Sequence, residues 1–190
     1  MGRSMDVEPE TLKVLLVENN EDGYILVRNL LDEAPRSRFN LDWARDYEMA
    51  IQELDLQRHD AYLVDYDLKG RNGLDILREA IERGCRAPLV LLTAKSEPDI
   101  DIAAVRAGAS DYLVKSEITP HLLERSIRYA IERKRAEETL KDSQHQLRHL
   151  SAELLHVQEE ERKLIASELH GNLGQLLVAV KLGVENSLAH

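Results

Sequence analysis

Short, predominantly apolar runs alternate with amphipathic stretches from Leu12 to about Ile118. The runs are Val14–Val17, Phe39–Ala44, Ala61–Val64, Leu89–Leu92 and Tyr112–Val114. Helical patterns lie between them, near Tyr24–Ala34, Tyr47–Leu56, Gly73–Arg83 and Ile100–Ala107. A strand buried on both faces reads as a continuous apolar run, and parallel neighbours need a crossover helix. The alternation therefore predicts a parallel sheet covered on both sides. Gly70, Gly84 and Gly108 fall where helices end or loops turn, as expected for glycine.

Five strands joined by short loops suit a flavodoxin-like (βα)5 doubly wound parallel sheet. After Pro120 the pattern changes to one long helix reaching about Ser187, without proline and rich in Glu, Arg, Lys, Leu and Ala. Pro120 suits the first helical position and Thr119 its N-cap. Leu140, Leu147 and Leu154 recur every seven residues, and Leu150, Val157 and Leu164 do so in the alternate register, with Ser143 and Glu161 as polar interruptions. This 3-4 spacing is a coiled-coil seam, and it implies a partner helix. Full burial stabilises each such side chain by roughly 1.5–3 kcal/mol. The apolar stripe then moves to Ile165, Leu169, Leu173, Leu176 and Val180, a phase shift that ends the heptads. Three segments are expected: 12–130, 131–164 and 165–190.

Composition narrows the partners. With 25 basic and 35 acidic residues the net charge is −10, which argues against nucleic acid or an anionic membrane surface. No apolar run reaches the roughly 18 residues needed to span a bilayer, and no signal-peptide core is present. One cysteine, Cys85, excludes an internal disulfide. A cytoplasmic protein is expected.

Candidate chemistry gathers at strand ends. Asp65 closes the third run, Glu18 and Asn19 follow the first, Thr93 ends the fourth and Lys115 ends the fifth. In an open α/β sheet these carboxyl ends form the functional edge. A carboxylate nucleophile that takes a phosphoryl group needs a divalent cation and donors for the phosphoryl oxygens. Mg²⁺ accepts oxygen ligands and keeps several waters, so Glu18, Asn19, Asp65 and the backbone carbonyl of Asp67 are the candidate ligands. Thr93 offers a hydroxyl and Lys115 an ammonium.

The ordered set Leu15-Leu16-Val17-Glu18-Asn19-Asn20, Asp65 with Gly73 eight residues on, Thr93-Ala94, and Asp111-Tyr112-Leu113-Val114-Lys115 resembles a response-regulator receiver domain over 12–130. The resemblance implies that Asp65 is the phospho-acceptor, Thr93 the switch hydroxyl, Tyr112 the switch aromatic and Lys115 the phosphoryl-facing lysine. It also implies Mg²⁺ as cofactor and a cognate histidine kinase or phosphotransfer protein as partner. Two positions depart from the family pattern: Asn19 stands where the second acid of a pair is usual, and Ser116 where proline is common. Two unit charges about 4 Å apart attract by about 4 kcal/mol at an effective dielectric of 20, so losing one carboxylate beside the divalent metal is expected to weaken its binding.

The segment from Glu160 to His170 resembles the H-box of sensor histidine kinases, closest to the subclass reading His-Asp-x-x-x-Gln. The resemblance matches His170 to the phospho-accepting histidine and Gln175 to the phosphatase glutamine. Gly171 replaces the aspartate that would act as base. No ATP-binding segment follows before His190, so the chain is not expected to be a complete kinase. The leading expectation is a phosphorelay receiver that signals through a homodimer formed by its C-terminal helix. The alternatives are a phosphorylation-impaired dimerisation scaffold and a fragment of a hybrid histidine kinase.

Overall fold

The computed structural model describes residues 11–95 and 98–188. In chain order the elements are β1 (Thr11–Val17), α1 (Glu21–Asp32), β2 (Arg38–Ala44), α2 (Tyr47–Leu56) and β3 (Ala61–Asp65). A small hairpin of β4 (Asp67–Leu68) and β5 (Arg71–Asn72) follows, then α3 (Gly73–Glu82), β6 (Leu89–Thr93), α4 (Pro98–Arg106) and β7 (Asp111–Val114). A 3-10 turn, Lys115–Glu117, leads into α5 (Pro120–Leu188). Packing divides the chain between Glu137 and Glu138 into two units.

In the first unit, five parallel strands run in the order β2-β1-β3-β6-β7. The chain starts beside the centre, winds to one edge and then to the other, as expected for a doubly wound sheet. Alternate residues of each strand face opposite sides. Leu15, Val17, Tyr62, Val64, Leu89 and Leu91 pack with α2, α3 and α4. Val14, Leu16, Leu63, Val90 and Leu92 pack with Val27 and Leu31 of α1 and with Leu123 and Ile127 of α5. Burial on both faces explains the continuous apolar reading of β3 and β6, each fully buried. β2 lies at the sheet edge and alternates exposed with half-buried residues.

Four helices carry the N-caps that their preceding residues provide. Asn20 accepts from the Asp22 amide at 3.0 Å, Asp46 from Met49 at 2.8 Å, Asn72 from Leu74 at 2.9 Å and Thr119 from Leu122 at 3.2 Å. Each such cap stabilises by about 1 kcal/mol. The Asn20 cap starts α1 three residues earlier than its apolar pattern indicates. Gly70 turns the β4–β5 hairpin with φ of +82°, a conformation that disfavours a side chain. The hairpin was not expected: two-residue strands show no periodicity.

In the second unit, residues 138–188 are helical. Leu140, Leu147, Leu150, Leu154 and Val157 are exposed in the single chain. His149–Glu153 and His156–Glu160 form i,i+4 pairs at 3.6 and 3.9 Å. The side chains of Leu164, His170, Gly171 and Gln175 lie outside the described residues.

Candidate functional site

Strand register assembles the site. Val17 pairs with Val64, Asp65 with Leu92, and Thr93 with Val114. Glu18, Asp65, Thr93 and Lys115 thus emerge together at one sheet edge, and they line a cavity of about 420 Å³ with Asn19, Asp67 and Lys95. Glu18, Asp65 and Thr93 are nearly inaccessible, at 1%, 6% and 2% exposure. Two carboxylates at that depth need a counter-charge. Lys115 supplies it, with its Nζ 2.5 Å from Glu18 Oε2 and 2.8 Å from Asp65 Oδ1.

Burial pushes the Asp65 carboxyl up to about 6; Lys115 pulls it back, and the Glu18 charge adds to the rise. Burial works against the charge on Lys115, but its hydrogen bonds to Asp65 and Glu18 prevail and hold it above the ordinary lysine value. Asp65 is therefore mostly ionised at neutral pH, at an electrostatic cost.

Two glycines make this burial possible: Gly23, which the sequence did not mark, and Gly73, which it marked only by its spacing from Asp65. A Cβ on Gly23 would lie 2.3 Å from Glu18 Oε2, and one on Gly73 would lie 2.1 Å from the Asp65 carbonyl oxygen. Trp43 was missed as well: its Nε1 donates to the Glu18 carbonyl at 2.7 Å, and its ring stacks on Tyr24 at 4.3 Å. Close approach and contact to a backbone carbonyl leave no local sequence signal.

Thr93 and Tyr112 point at a common acceptor. Thr93 Oγ1 donates to the Lys95 carbonyl at 3.2 Å, and the Tyr112 hydroxyl donates to the same carbonyl at 2.9 Å. Asn19 does something the sequence did not indicate: its Nδ2 donates to the Asp67 carbonyl at 2.9 Å. Among the described residues, no three His, Cys, Asp or Glu side chains are grouped to hold a metal. The oxygens of Glu18, Asp65 and the Asp67 backbone still form a hard donor set, and Mg²⁺ needs no more from a protein when water completes its octahedron.

A doubly wound sheet with a buried carboxylate, a facing lysine and a strand-end hydroxyl defines a receiver-type α/β module. The chain belongs to the response regulator receiver domain family, which matches residues 14–127. Transcriptional regulatory protein QseB of Escherichia coli O157:H7 is 32% identical over 104 residues, covering 55% of this chain and 46% of that protein. Response regulator RppA of Synechocystis is 32% identical over 117 residues, covering 60% and 48%. The chain thus spans about half the length of these curated relatives. Among solved structures, a response regulator from Thermotoga maritima superposes with a TM-score of 0.56 at 26% identity, covering 65% of this chain and 99% of that one. Among the described residues no helix is long and apolar enough to cross a membrane.

Proposed function

We propose that Asp65 accepts a phosphoryl group from the phosphohistidine of a cognate histidine kinase or phosphotransfer protein. An Asp65 carboxylate oxygen attacks phosphorus, the P–N bond breaks, and the histidine nitrogen leaves with the electron pair. Glu18, Asp65 and the Asp67 carbonyl, with Asn19 beside them, hold Mg²⁺ in this reading. When bound, the metal neutralises charge on the phosphoryl oxygens. Lys115 faces a phosphoryl oxygen once the carboxylate charge it pairs with is esterified. Thr93 turns from Lys95 to a second phosphoryl oxygen, which leaves Tyr112 free to reorient. The observation that carries the reading is the buried Asp65–Lys115 ion pair beside Glu18 at aligned strand ends.

α5 starts three residues after the Lys115–Glu117 turn, so a change at the site has a short route along the chain to the helix. In this reading the exposed Leu140–Val157 seam pairs with a second copy, and phosphorylation alters that pairing. His170 is a second phosphoryl-carrying group, weakened by Gly171 in the position of its base. The test is beryllofluoride or acetyl-phosphate titration of wild type and Asp65→Asn with Trp43 fluorescence as readout. A saturable, Mg²⁺-dependent response in wild type only supports the proposal; its absence from wild type overturns it.

A further inference from the structure

The acceptor site is hydrogen-bonded and charge-paired in a way that engages the groups a metal would need. Lys115 bridges Glu18 and Asp65. The Asp67 carbonyl accepts from Asn19 Nδ2 at 2.9 Å. The donor in that second contact is fixed by chemistry. A carbonyl can only accept, so Asn19 must present its NH₂, and its amide oxygen then points away from Asp67. An aspartate at this position could not make the contact, because a carboxylate has no proton to offer.

We infer that Asn19 is a latch: it competes with a divalent cation for the Asp67 carbonyl rather than serving as a metal ligand. The inference rests on the proposed Mg²⁺ site and specifies how that site is regulated. Three observations converge on it. Asn19 follows Glu18 directly, and Asn20 caps α1 while its amide is held by Glu18 Oε1 at 3.0 Å, so the backbone on both sides of Asn19 is fixed. Asp67 opens the β4–β5 hairpin, whose Asn72 caps α3, so its carbonyl is fixed in turn. Asn19 also lies between two cavities: it lines the acceptor site and a neighbouring cavity of about 380 Å³ with Arg45, Tyr47, Lys69 and Arg71. A cation that takes the Asp67 carbonyl displaces the amide toward that second cavity.

The latch makes a prediction opposite to that of a missing ligand. If Asn19 were a weak ligand, Asn19→Ala would bind Mg²⁺ equally or less well. As a latch, Asn19→Ala frees the carbonyl and tightens Mg²⁺ binding by about two- to tenfold, the range of one net hydrogen bond. Asn19→Asp removes the donor and adds a charge, and should tighten binding by at least about tenfold.

The experiment is Mg²⁺ titration of the full chain and these variants, read by Trp43 fluorescence and by the shift in melting temperature. Tighter binding in Asn19→Ala than in wild type supports the latch. Equal or weaker binding in Asn19→Ala, with tighter binding in Asn19→Asp, overturns the latch while the metal site stands. No saturable Mg²⁺ response in any variant overturns both.

Discussion

Thr93 and Tyr112 share one acceptor: both hydroxyls donate to the Lys95 carbonyl, at 3.2 and 2.9 Å. The two residues that the family resemblance names as a switch are therefore linked through a single backbone oxygen. In the proposed reading Thr93 turns to a phosphoryl oxygen, and the Lys95 carbonyl then loses one of its two donors. Thr93→Ala removes the linkage and leaves Asp65 and Lys115 in place. The expected result is acetyl-phosphate labelling within about threefold of wild type, with loss of the Tyr112 ring response followed by NMR. An unchanged ring response would show that Thr93 does not carry the signal.

Asp65 makes stability depend on pH in an unusual direction. Its folded pKa, about 6, lies above the ordinary value of 3.8, so the folded state binds the proton more tightly than the unfolded chain. Its contribution is full below about pH 3.8 and is lost as pH rises through about 6. Asp65→Asn should therefore stabilise the metal-free protein at pH 7.5 by about 1–3 kcal/mol, with the gain shrinking towards pH 4. Urea unfolding at the two pH values checks this, and a gain that does not change with pH contradicts it.

Lys115 is the counter-charge for two buried acids. Removing it leaves Glu18 and Asp65 facing each other without compensation, a situation that costs about 3–5 kcal/mol. Lys115→Ala should unfold at markedly lower urea, and Mg²⁺ should restore part of the loss by standing in for the ammonium. A stability loss that Mg²⁺ leaves untouched would argue against metal binding between these carboxylates.

Gly23 and Gly73 should differ in their tolerance of a methyl group. At Gly23 the obstacle is the end of the Glu18 side chain, which can shift; at Gly73 it is the Asp65 carbonyl, which cannot shift without moving β3. Gly23→Ala should cost about 1–2 kcal/mol and weaken the Glu18–Lys115 contact, whereas Gly73→Ala should cost about 3 kcal/mol or more. Denaturant midpoints of the two variants provide the comparison.

The readable part of this fold is the part that period and burial write into side chains. β3 and β6, buried on both faces, read directly as strands, and the strand-end positions of Glu18, Asp65, Thr93 and Lys115 foretell that they line one cavity at the sheet edge. Thr119 and Pro120 announced the start of α5. What escaped involves backbone atoms and close approach. Gly23, and the reason for Gly73, emerge only when the distance to Glu18 or Asp65 is measured, and the Lys95 carbonyl carries no side-chain signature. Asn19 was legible as a departure from an acidic pair, but its role as a donor to Asp67 required the hairpin that positions the acceptor.

The central claim is that Asp65 is the group that takes the phosphoryl. Intact-mass analysis of the chain after incubation with acetyl phosphate and Mg²⁺ tests it most directly. The account predicts one phosphoryl adduct in wild type, lost on hydroxylamine treatment as an acyl phosphate is, and none in Asp65→Asn. No adduct on wild type, or an equal adduct on Asp65→Asn, would contradict it.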